Sequence, residues 1–327
     1  MPRSAPDPYR LRPATLDDAY AVADLRNTCA IEQTGRPQVD PGELRSEWQA
    51  PYFCPETDAV VVLSSRGRII GQAVVRDQEP HVHLFATADV HPLYRDLGIG
   101  TALSQWAEER GRKAARKAPP GVRVVLTQSA LSSDAPTMAL LRAQGYETAH
   151  HEFWMVIELE RSPPRAVVPD GIVIRPFSRG SEERSVVQAI QLAFQGHYGY
   201  VERPLEDELA DWAHYFDTAP PGTESLWFVA ADGQEIAATC LCHPYLAEDP
   251  DMAYVFALGV RPAWRRRGVA LALLLHSFHE IYGYGRRRVA LSVDAESPTG
   301  AARLYEKAGM HIERQSTFFE KELRPAG

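Results

Sequence analysis

Short apolar runs rich in β-branched residues recur along the chain in hairpin-like pairs. In the first half, residues 59–64 and 69–75 form two such runs, and in the second half residues 226–231 and 235–242 form another two. The second pair is joined by Asp232-Gly233, a dipeptide typical of two-residue turns between antiparallel strands. The pattern therefore predicts one β-hairpin in each half of the chain.

The elements expected after each hairpin come in the same order. Each half has a third strand, a glycine-containing turn, a helix with apolar residues at helical spacing and a buried strand. These segments are residues 83–90, 101–116 and 122–127 in the first half and 253–260, 271–282 and 288–293 in the second. Each half then has a last helix that ends near Gly145 or Gly309. Ser297 and Pro298 are expected to begin the second of these helices.

The repeat extends beyond the pattern of elements to particular residues. Arg12 matches Arg175, Gly98 matches Gly268 and Gly145 matches Gly309, each pair separated by roughly 165 residues. A first helix is expected near a capping-box-like Thr15. We predict two tandem domains, residues 9–160 and 172–325, joined by a proline-rich linker over residues 161–171.

Composition limits the class of protein. The 327 residues are 45% hydrophobic and 24% charged, with a formal net charge of −8, as in ordinary globular proteins. An acidic chain does not favour nonspecific nucleic-acid binding, and the apolar run 269–275 is too short to cross a membrane. Residues 1–6 have no apolar segment typical of a secretory leader. We expect a cytoplasmic protein, a monomer or homodimer, that binds neither nucleic acid nor membrane.

Cysteine and histidine spacings give no metal motif. The four cysteines form no C-x-x-C pair, so reduced thiols are expected. His276 and His279 lie three apart on a predicted helix but lack a third ligand. No bound metal is predicted.

The repeated turn has the residues needed to hold a phosphate. Both copies follow the pattern valine, any residue, proline, two residues, arginine, two residues, glycine, any residue, glycine or alanine, ending at Gly100 and Ala270. A glycine where a helix begins lets backbone N–H groups approach an anion, and the helix dipole and arginines add positive potential. A dinucleotide-binding loop is excluded because Leu103 stands where a third glycine is required. The alternative is a helix that begins at glycine beside solvated arginines.

The turns Arg95-Asp96-Leu97-Gly98-Ile99-Gly100 and Arg265-Arg266-Arg267-Gly268-Val269-Ala270 resemble the coenzyme A loop of the GNAT superfamily of acyl-CoA N-acyltransferases. The stretch from Leu291 to Met310 is similar to the fifth strand and following helix of that superfamily. The tandem arrangement, with Phe194-Gln195-Gly196-His197-Tyr198-Gly199-Tyr200, is most similar to mycothiol synthase-like proteins. The resemblance implies an α/β (α+β) fold: two tandem domains, each with a mixed, mostly antiparallel sheet flanked by helices and opening between its fourth and fifth strands.

The resemblance also implies acetyl-CoA as cosubstrate. In the second domain the expected coenzyme A contacts are Leu258, Gly259, Val260, Arg265, Arg266, Arg267, Gly268, Val269 and Ala270. In the first domain they are Val90, Arg95, Asp96, Gly98, Ile99, Gly100 and Thr101. The resemblance implies that Tyr305 is the general acid that protonates the departing thiolate, a role open to a tyrosine that is protonated at neutral pH. Leu141 is its counterpart in the first domain, so that domain is expected to bind coenzyme A, to serve as scaffold, or to hold an empty site, without turnover.

The general base is not fixed by the sequence. Many relatives carry a glutamate on the fourth strand, but residues 251–260 contain none. Asp251 and His243 are candidates that would act through water, and an enzyme without a base can rely on water alone. The acceptor pocket is expected from His197, Tyr198, Tyr200 and Tyr254, with nearby acids that attract a cationic amine.

The sequence thus predicts an N-acetyltransferase that transfers the acetyl group of acetyl-CoA to the primary amine of a small molecule, with chemistry in the second domain. One alternative is mycothiol synthase, which acetylates a cysteinyl aminosugar. A second is a non-catalytic regulatory protein that binds acyl-CoA, and a tRNA-dependent aminoacyl transferase is more remote.

Overall fold

The structure, a computed structural model, describes residues 9–50, 52–218 and 222–327. Residues 1–6, considered above for a leader, lie outside them. The chain forms two compact units. The first contains the residues up to His150 together with Ser316–Gly327, and the second contains His151–Gln315.

The first half of the chain contains the following helices and strands. The strands are β1 Arg10–Pro13, β2 Ala59–Leu63, β3 Ile69–Arg76, β4 His83–Val90, β5 Val124–Leu131 and β6 Glu147–Glu158. The helices are α1 Ala19–Thr34, α2 Pro41–Glu47, α3 Pro55–Asp58, α4 Ile99–Ala115 and α5 Ala135–Ala143.

The second half repeats this order. Its strands are β7 Ile172–Pro176, β8 Trp227–Asp232, β9 Glu235–His243, β10 Met252–Val260, β11 Arg288–Asp294 and β12 His311–Arg324. Its helices are α6 Glu183–Phe194, α7 Leu205–Thr218, α8 Val269–Gly283 and α9 Ala301–Lys307. None of the helices in the described part of the chain is both long enough and apolar enough to span a membrane.

Each unit is built on a mixed sheet. In the first unit the strand order is β1-β2-β3-β4-β5 followed by the end of β12, and in the second it is β7-β8-β9-β10-β11 followed by the end of β6. Neighbouring strands are antiparallel except for β4 with β5 and β10 with β11. The predicted fold class is therefore confirmed, including the mixed, mostly antiparallel sheet.

Helices cover both faces of each sheet because the strands are apolar on both sides. On β2, Val61 packs with α1 and α2, whereas Val60 and Val62 pack with α4. The same alternation occurs on β8, where Trp227 packs among residues of α6 and α7 and Phe228 among residues of α8. Side chains on successive strand residues point to opposite faces, so each sheet is buried between two helical layers.

The last strand of each sheet comes from the other half of the sequence. In the first unit, Ser316–Arg324 pair with β5, and Arg324 donates to the carbonyl groups of Ala115 and Val122. In the second unit, Glu152–Glu158 pair with β11. The compact units have other bounds than the predicted domains: residues 151–160 lie in the second unit and residues 316–325 in the first. The predicted domain bounds follow the order of the sequence, which does not reveal that these two segments are exchanged.

The predicted starts and ends of helices have different outcomes. Thr15 and Asp18 form the expected capping box, and Gly145 and Gly309 adopt the expected left-handed backbone with φ of 80° and 97°. The prediction that Ser297 begins the last helix is wrong, because α9 begins at Ala301. The N–H of Gly300 donates to the carbonyl of Ser297, so that segment closes a turn before the helix begins.

Candidate active site

A cavity of about 500 Å³ lies in the second unit where β10 and β11 part. The two strands pair only between Met252–Val255 and Arg288–Leu291. Beyond these residues β10 continues to pair with β9, and β11 with β6, so the sheet opens as a V. The residues that line the cavity include Ala193, Phe194, His197, Leu258, Gly259, Val260, Arg265, Arg266, Gly268, Val269, Ala270, Ser292, Val293, Asp294, Leu304 and Tyr305.

The turn before α8 presents the start of a helix to this cavity. Gly268 is the N-cap of α8 with φ of 82°, and Arg266 also has a positive φ, 61°. The first four N–H groups of a helix have no partner within it, and the helix dipole places positive potential there. The structure therefore has the backbone geometry expected of an anion-binding turn at the cavity wall.

The three arginines of the turn have different surroundings. Arg265 donates from Nε to the carbonyl of Val260 (3.2 Å) and from Nη2 to that of Ala193 (2.9 Å), which ties the turn to β10 and α6. Arg266 lines the cavity. Arg267 does not, and its Nη1 lies 3.8 Å from an oxygen of Asp232. Of the three arginines of this turn, Arg266 is thus the one that lines the cavity while its guanidinium forms no hydrogen bond or ion pair with another residue in the described part of the chain.

Gly259 is needed for close packing at the edge of β10. A Cβ at this position would lie 2.8 Å from the Cβ of Ala193 on α6 and 3.3 Å from the ring of Phe194. Helix α6 can therefore pack directly on the strand that forms one wall of the cavity. The backbone of Leu258, Gly259 and Val260 lies along that wall.

Tyr305 lies on α9, faces the cavity and is 7% exposed. Burial raises the pKa of its phenol well above the usual value, because the charged phenolate is disfavoured away from water. The side chain therefore stays protonated at neutral pH. Leu141 has the same position in the first unit: the N–H of Tyr146 donates to the carbonyl of Leu141, as that of Met310 does to Tyr305, both at 3.0 Å.

The predicted acceptor residues do not all reach the cavity. His197 lines it, and its pKa is lowered by burial and by the charge of Arg265. Tyr198 and Tyr200 are not among the lining residues. Burial and the charges of Glu202 and Glu208 raise the pKa of Tyr200.

The two bases suggested by the sequence also lie off the cavity. Asp251 precedes the paired end of β10, and its side chain is 81% exposed beside Arg286. His243 is packed against Tyr215, whose hydroxyl lies 3.1 Å from Nε2, and burial lowers the pKa of the imidazole to about 4. The closed end of the V separates Asp251 from the opening.

Sequence reasoning missed a polar cluster that β6 brings to the opening. Glu152 lies opposite Asp294, and Trp154 lies opposite Ser292. Trp154 stacks on Tyr254 with ring centroids 5.3 Å apart, which places the predicted acceptor residue Tyr254 in this cluster. No local motif marks Glu152, because its position depends on the exchanged strand.

The first unit keeps the turn but changes its contacts. Gly98 is the N-cap of α4 with φ of 78°, and Asp96 has φ of 63°, matching Gly268 and Arg266. Arg95, however, forms an ion pair of 2.5 Å with Glu32. A Cβ on Gly100 would lie 2.9 Å from Leu140. Among the other predicted contacts here, Ile99 is buried in the core, with Val90 packed against the same cluster, and Thr101 lies on α4.

No cluster of three or more His, Cys, Asp or Glu suited to a metal ion is found among the residues that the structure describes.

Comparisons with known proteins agree with this geometry. The profile of the Acetyltransferase (GNAT) family matches residues 20–146 and 186–310. A mycothiol acetyltransferase of Thermomonospora curvata is 33% identical over 223 residues, covering 67% of this chain and 68% of that protein. Another, of Geodermatophilus obscurus, is 29% identical over 311 residues, 93% of each chain. The structure of a GCN5-related N-acetyltransferase from Sphaerobacter thermophilus matches with a TM-score of 0.82 and 32% identity, covering 99% of this chain and 98% of that one.

Proposed function

The chain belongs to the acetyltransferase (GNAT) family, and we propose that its second unit transfers the acetyl group of acetyl-CoA to the primary amine of a small molecule. The observation that carries the proposal is that one cavity contains both the helix start at Gly268 and the buried phenol of Tyr305. The first feature suits a pyrophosphate, and the second suits a departing thiolate. Residues of β10 and β11 at the opening of the sheet line the same cavity.

Acetyl-CoA fits the donor groups of this cavity. The N–H groups at the start of α8 and the guanidinium of Arg266 would hold the pyrophosphate. The backbone beyond Val255, which is freed from β11, offers N–H and C=O groups to the pantetheine amides. An N–H of Leu258 to Val260 would polarise the thioester carbonyl, which favours the negative charge that forms on its oxygen during attack.

Tyr305 supplies the proton that the leaving group needs. The amine nitrogen forms a bond to the thioester carbon, the C–S bond breaks, and the phenol donates its proton to the thiolate. Its raised pKa keeps the donor form populated through the neutral range. Leucine at the equivalent position 141 has no proton to donate, which supports chemistry in the second unit alone.

A cysteinyl aminosugar is a second candidate acceptor. It is favoured by the similarity to mycothiol acetyltransferases, which extends over 93% of the chain in one case. The missing glutamate on β10 separates this chain from the pattern that we associate with mycothiol synthase. The general proposal is therefore a small-molecule amine, and the cysteinyl aminosugar is one member of the panel that tests it.

Release of free thiol from acetyl-CoA tests the proposal. Glucosamine, cysteine, spermidine and a cysteinyl aminosugar serve as acceptors, and product is confirmed by mass spectrometry. We expect steady turnover with at least one amine, and Tyr305→Phe should lower kcat by about 10²- to 10⁴-fold while the Kd for acetyl-CoA stays unchanged.

The matched control is Tyr282→Phe, the same change on α8 at a residue that does not line the cavity. It should leave kcat at the wild-type value. Tight binding of acetyl-CoA without turnover on any amine would contradict the proposal and favour a regulatory protein that binds acyl-CoA.

A further inference from the structure

Two groups of residues flank β11 on opposite faces of the sheet. Leu291 and Val293 belong to the core cluster that contains Tyr305. Ser292 and Asp294 alternate with them and therefore point to the other face. Tyr305 and the polar cluster thus lie on opposite sides of the strand at which the sheet opens.

Strand β6 completes the polar cluster. In an antiparallel pair, directly opposed residues share a face, so Glu152 lies beside Asp294 and Trp154 beside Ser292. Tyr254 of β10 stacks on Trp154 from the same face. Ser292 and Asp294 line the cavity, and Ser292 is the diagonal cross-strand neighbour of Glu152, a separation that a long side chain such as glutamate can span.

The cluster contains the carboxylates that β10 lacks. Residues Met252–Val260 carry no Asp, Glu, His or Lys. At the opening, Glu152 and Asp294 lie opposite each other on neighbouring strands and supply carboxyl groups. An oxygen of Asp294 accepts from the backbone N–H of Glu296 at 2.8 Å, which commits this side chain to the turn after β11.

The surroundings of Glu152 favour the protonated form of its carboxyl more than water does. Burial raises the pKa of its carboxyl, the nearby hydroxyl of Ser292 opposes that increase, and the charge of Asp294 adds to it. Tyr254 faces the same cluster, and Arg314 lies over the Trp154 ring at 4.1 Å. The charge of Asp294 also acts on His197, where it opposes the lowering of the pKa by burial and by Arg265.

We propose that Glu152 accepts the proton of the acceptor amine, relayed by the hydroxyl of Ser292. The ammonium gives one proton to Ser292 Oγ as the serine proton moves to the carboxylate, which leaves a neutral amine and a protonated Glu152. The amine then attacks the thioester from the face opposite Tyr305. Glu152 returns its proton to water, and the second amine proton is lost to water as Tyr305 is reprotonated, so one proton is released in each turnover. The inference rests on the proposed N-acetyltransferase activity.

The pH profile of Glu152→Gln tests this role. With acetyl-CoA and the fastest amine of the panel, the wild type should lose kcat/KM as pH falls, because protonated Glu152 cannot accept a proton. Glu152→Gln should lower kcat by about 10²-fold or more and abolish that acidic limb. Glu152→Asp should keep the limb and recover part of the rate, and Ser292→Ala should lower kcat as Glu152→Gln does.

Glu158→Gln is the matched control. Glu158 lies on the same strand and the same face, six residues away, and contacts Arg288 and His311 instead of the cavity. It should keep the wild-type rate and pH profile. Difference infrared titration of the free protein gives a readout independent of turnover: the band of a protonated carboxyl group that persists above the usual glutamate range should vanish in Glu152→Gln and persist in Glu158→Gln.

The two proposals fail in different ways. Absence of turnover in the wild type on every amine overturns the proposed function. Wild-type turnover with an unchanged rate and acidic limb in Glu152→Gln overturns the role of Glu152 alone. A wild-type rate in Ser292→Ala overturns the relay.

Discussion

One side chain distinguishes the two units at the position where the thiolate would be protonated. Tyr305 and Leu141 accept the same backbone hydrogen bond and are both buried, but only the tyrosine can donate a proton. The role of Tyr305 is implied by the resemblance to the family, which places the general acid at this position. The base was not predicted, because Glu152 reaches the site on a strand whose partner the sequence does not specify.

The contact of Gly259 with α6 leads to a packing prediction. Gly259→Ala would place a methyl group 2.8 Å from Ala193, and overpacking of this kind costs about 1–3 kcal/mol. We expect a lower free energy of unfolding in urea. We also expect a higher KM for acetyl-CoA, because the added methyl group displaces β10, which forms one wall of the cavity. Gly283→Ala, where a Cβ meets nothing within 4 Å, is the control and should leave both values unchanged.

His243 predicts a pH dependence of stability. Its pKa in the folded protein is about 4, below the value of about 6.5 in an unfolded chain. Its contribution is therefore fully present above pH 6.5 and decreases as the pH falls toward 4, by on the order of 3 kcal/mol in total. His243→Gln should flatten this part of the urea-unfolding profile, while His311→Gln, at an exposed histidine, should leave it unchanged. An equally steep decrease in both variants would contradict the assignment.

At the scale of elements, the exchange of the terminal strands determines which sheet the residues of β6 and β12 join. The sequence analysis predicts no strand over β6 or β12, and a hydrophobic pattern does not choose a partner strand. The hairpins and the glycine turns could be read from local signals such as Asp232-Gly233. The partners of β6 and β12 depend on contacts between distant segments, which no local signal encodes.

Phe319 tests the assignment of the end of β12 to the first unit. It is fully buried in the core of the first unit although it lies in the last strand of the chain. Phe319→Ala should destabilise that unit by about 3–5 kcal/mol. Hydrogen exchange should quicken in β5 and leave β8 and β9 protected.

Ile312→Ala is the control on the same strand. Its side chain is 44% exposed, so the change should alter stability by less than about 0.5 kcal/mol. Faster exchange in β8 and β9 of Phe319→Ala, with β5 unchanged, would contradict the assignment of this strand to the first unit.

At the scale of the whole molecule, the scaffold is duplicated and the proposed chemistry is not. Both units keep the mixed sheet, its parallel fourth and fifth strands and a left-handed glycine before the following helix. The first unit pairs its turn arginine with Glu32 and places leucine where the second has Tyr305. The duplication was visible in the sequence, and the difference in contacts became visible only in the structure.

The matched glycines of the two turns provide the most direct test. Gly98 and Gly268 have nearly equal φ, and a Cβ on either would meet only ordinary contacts, at 3.7 and 3.8 Å, so alanine at either site adds mainly backbone strain of about 1–2 kcal/mol. The measurement is the KM for acetyl-CoA in the thiol-release assay. Gly268→Ala should raise KM about tenfold, and Gly98→Ala should leave it within about twofold of the wild type. An unchanged KM in Gly268→Ala, or an equal increase in Gly98→Ala, would contradict chemistry in the second unit alone.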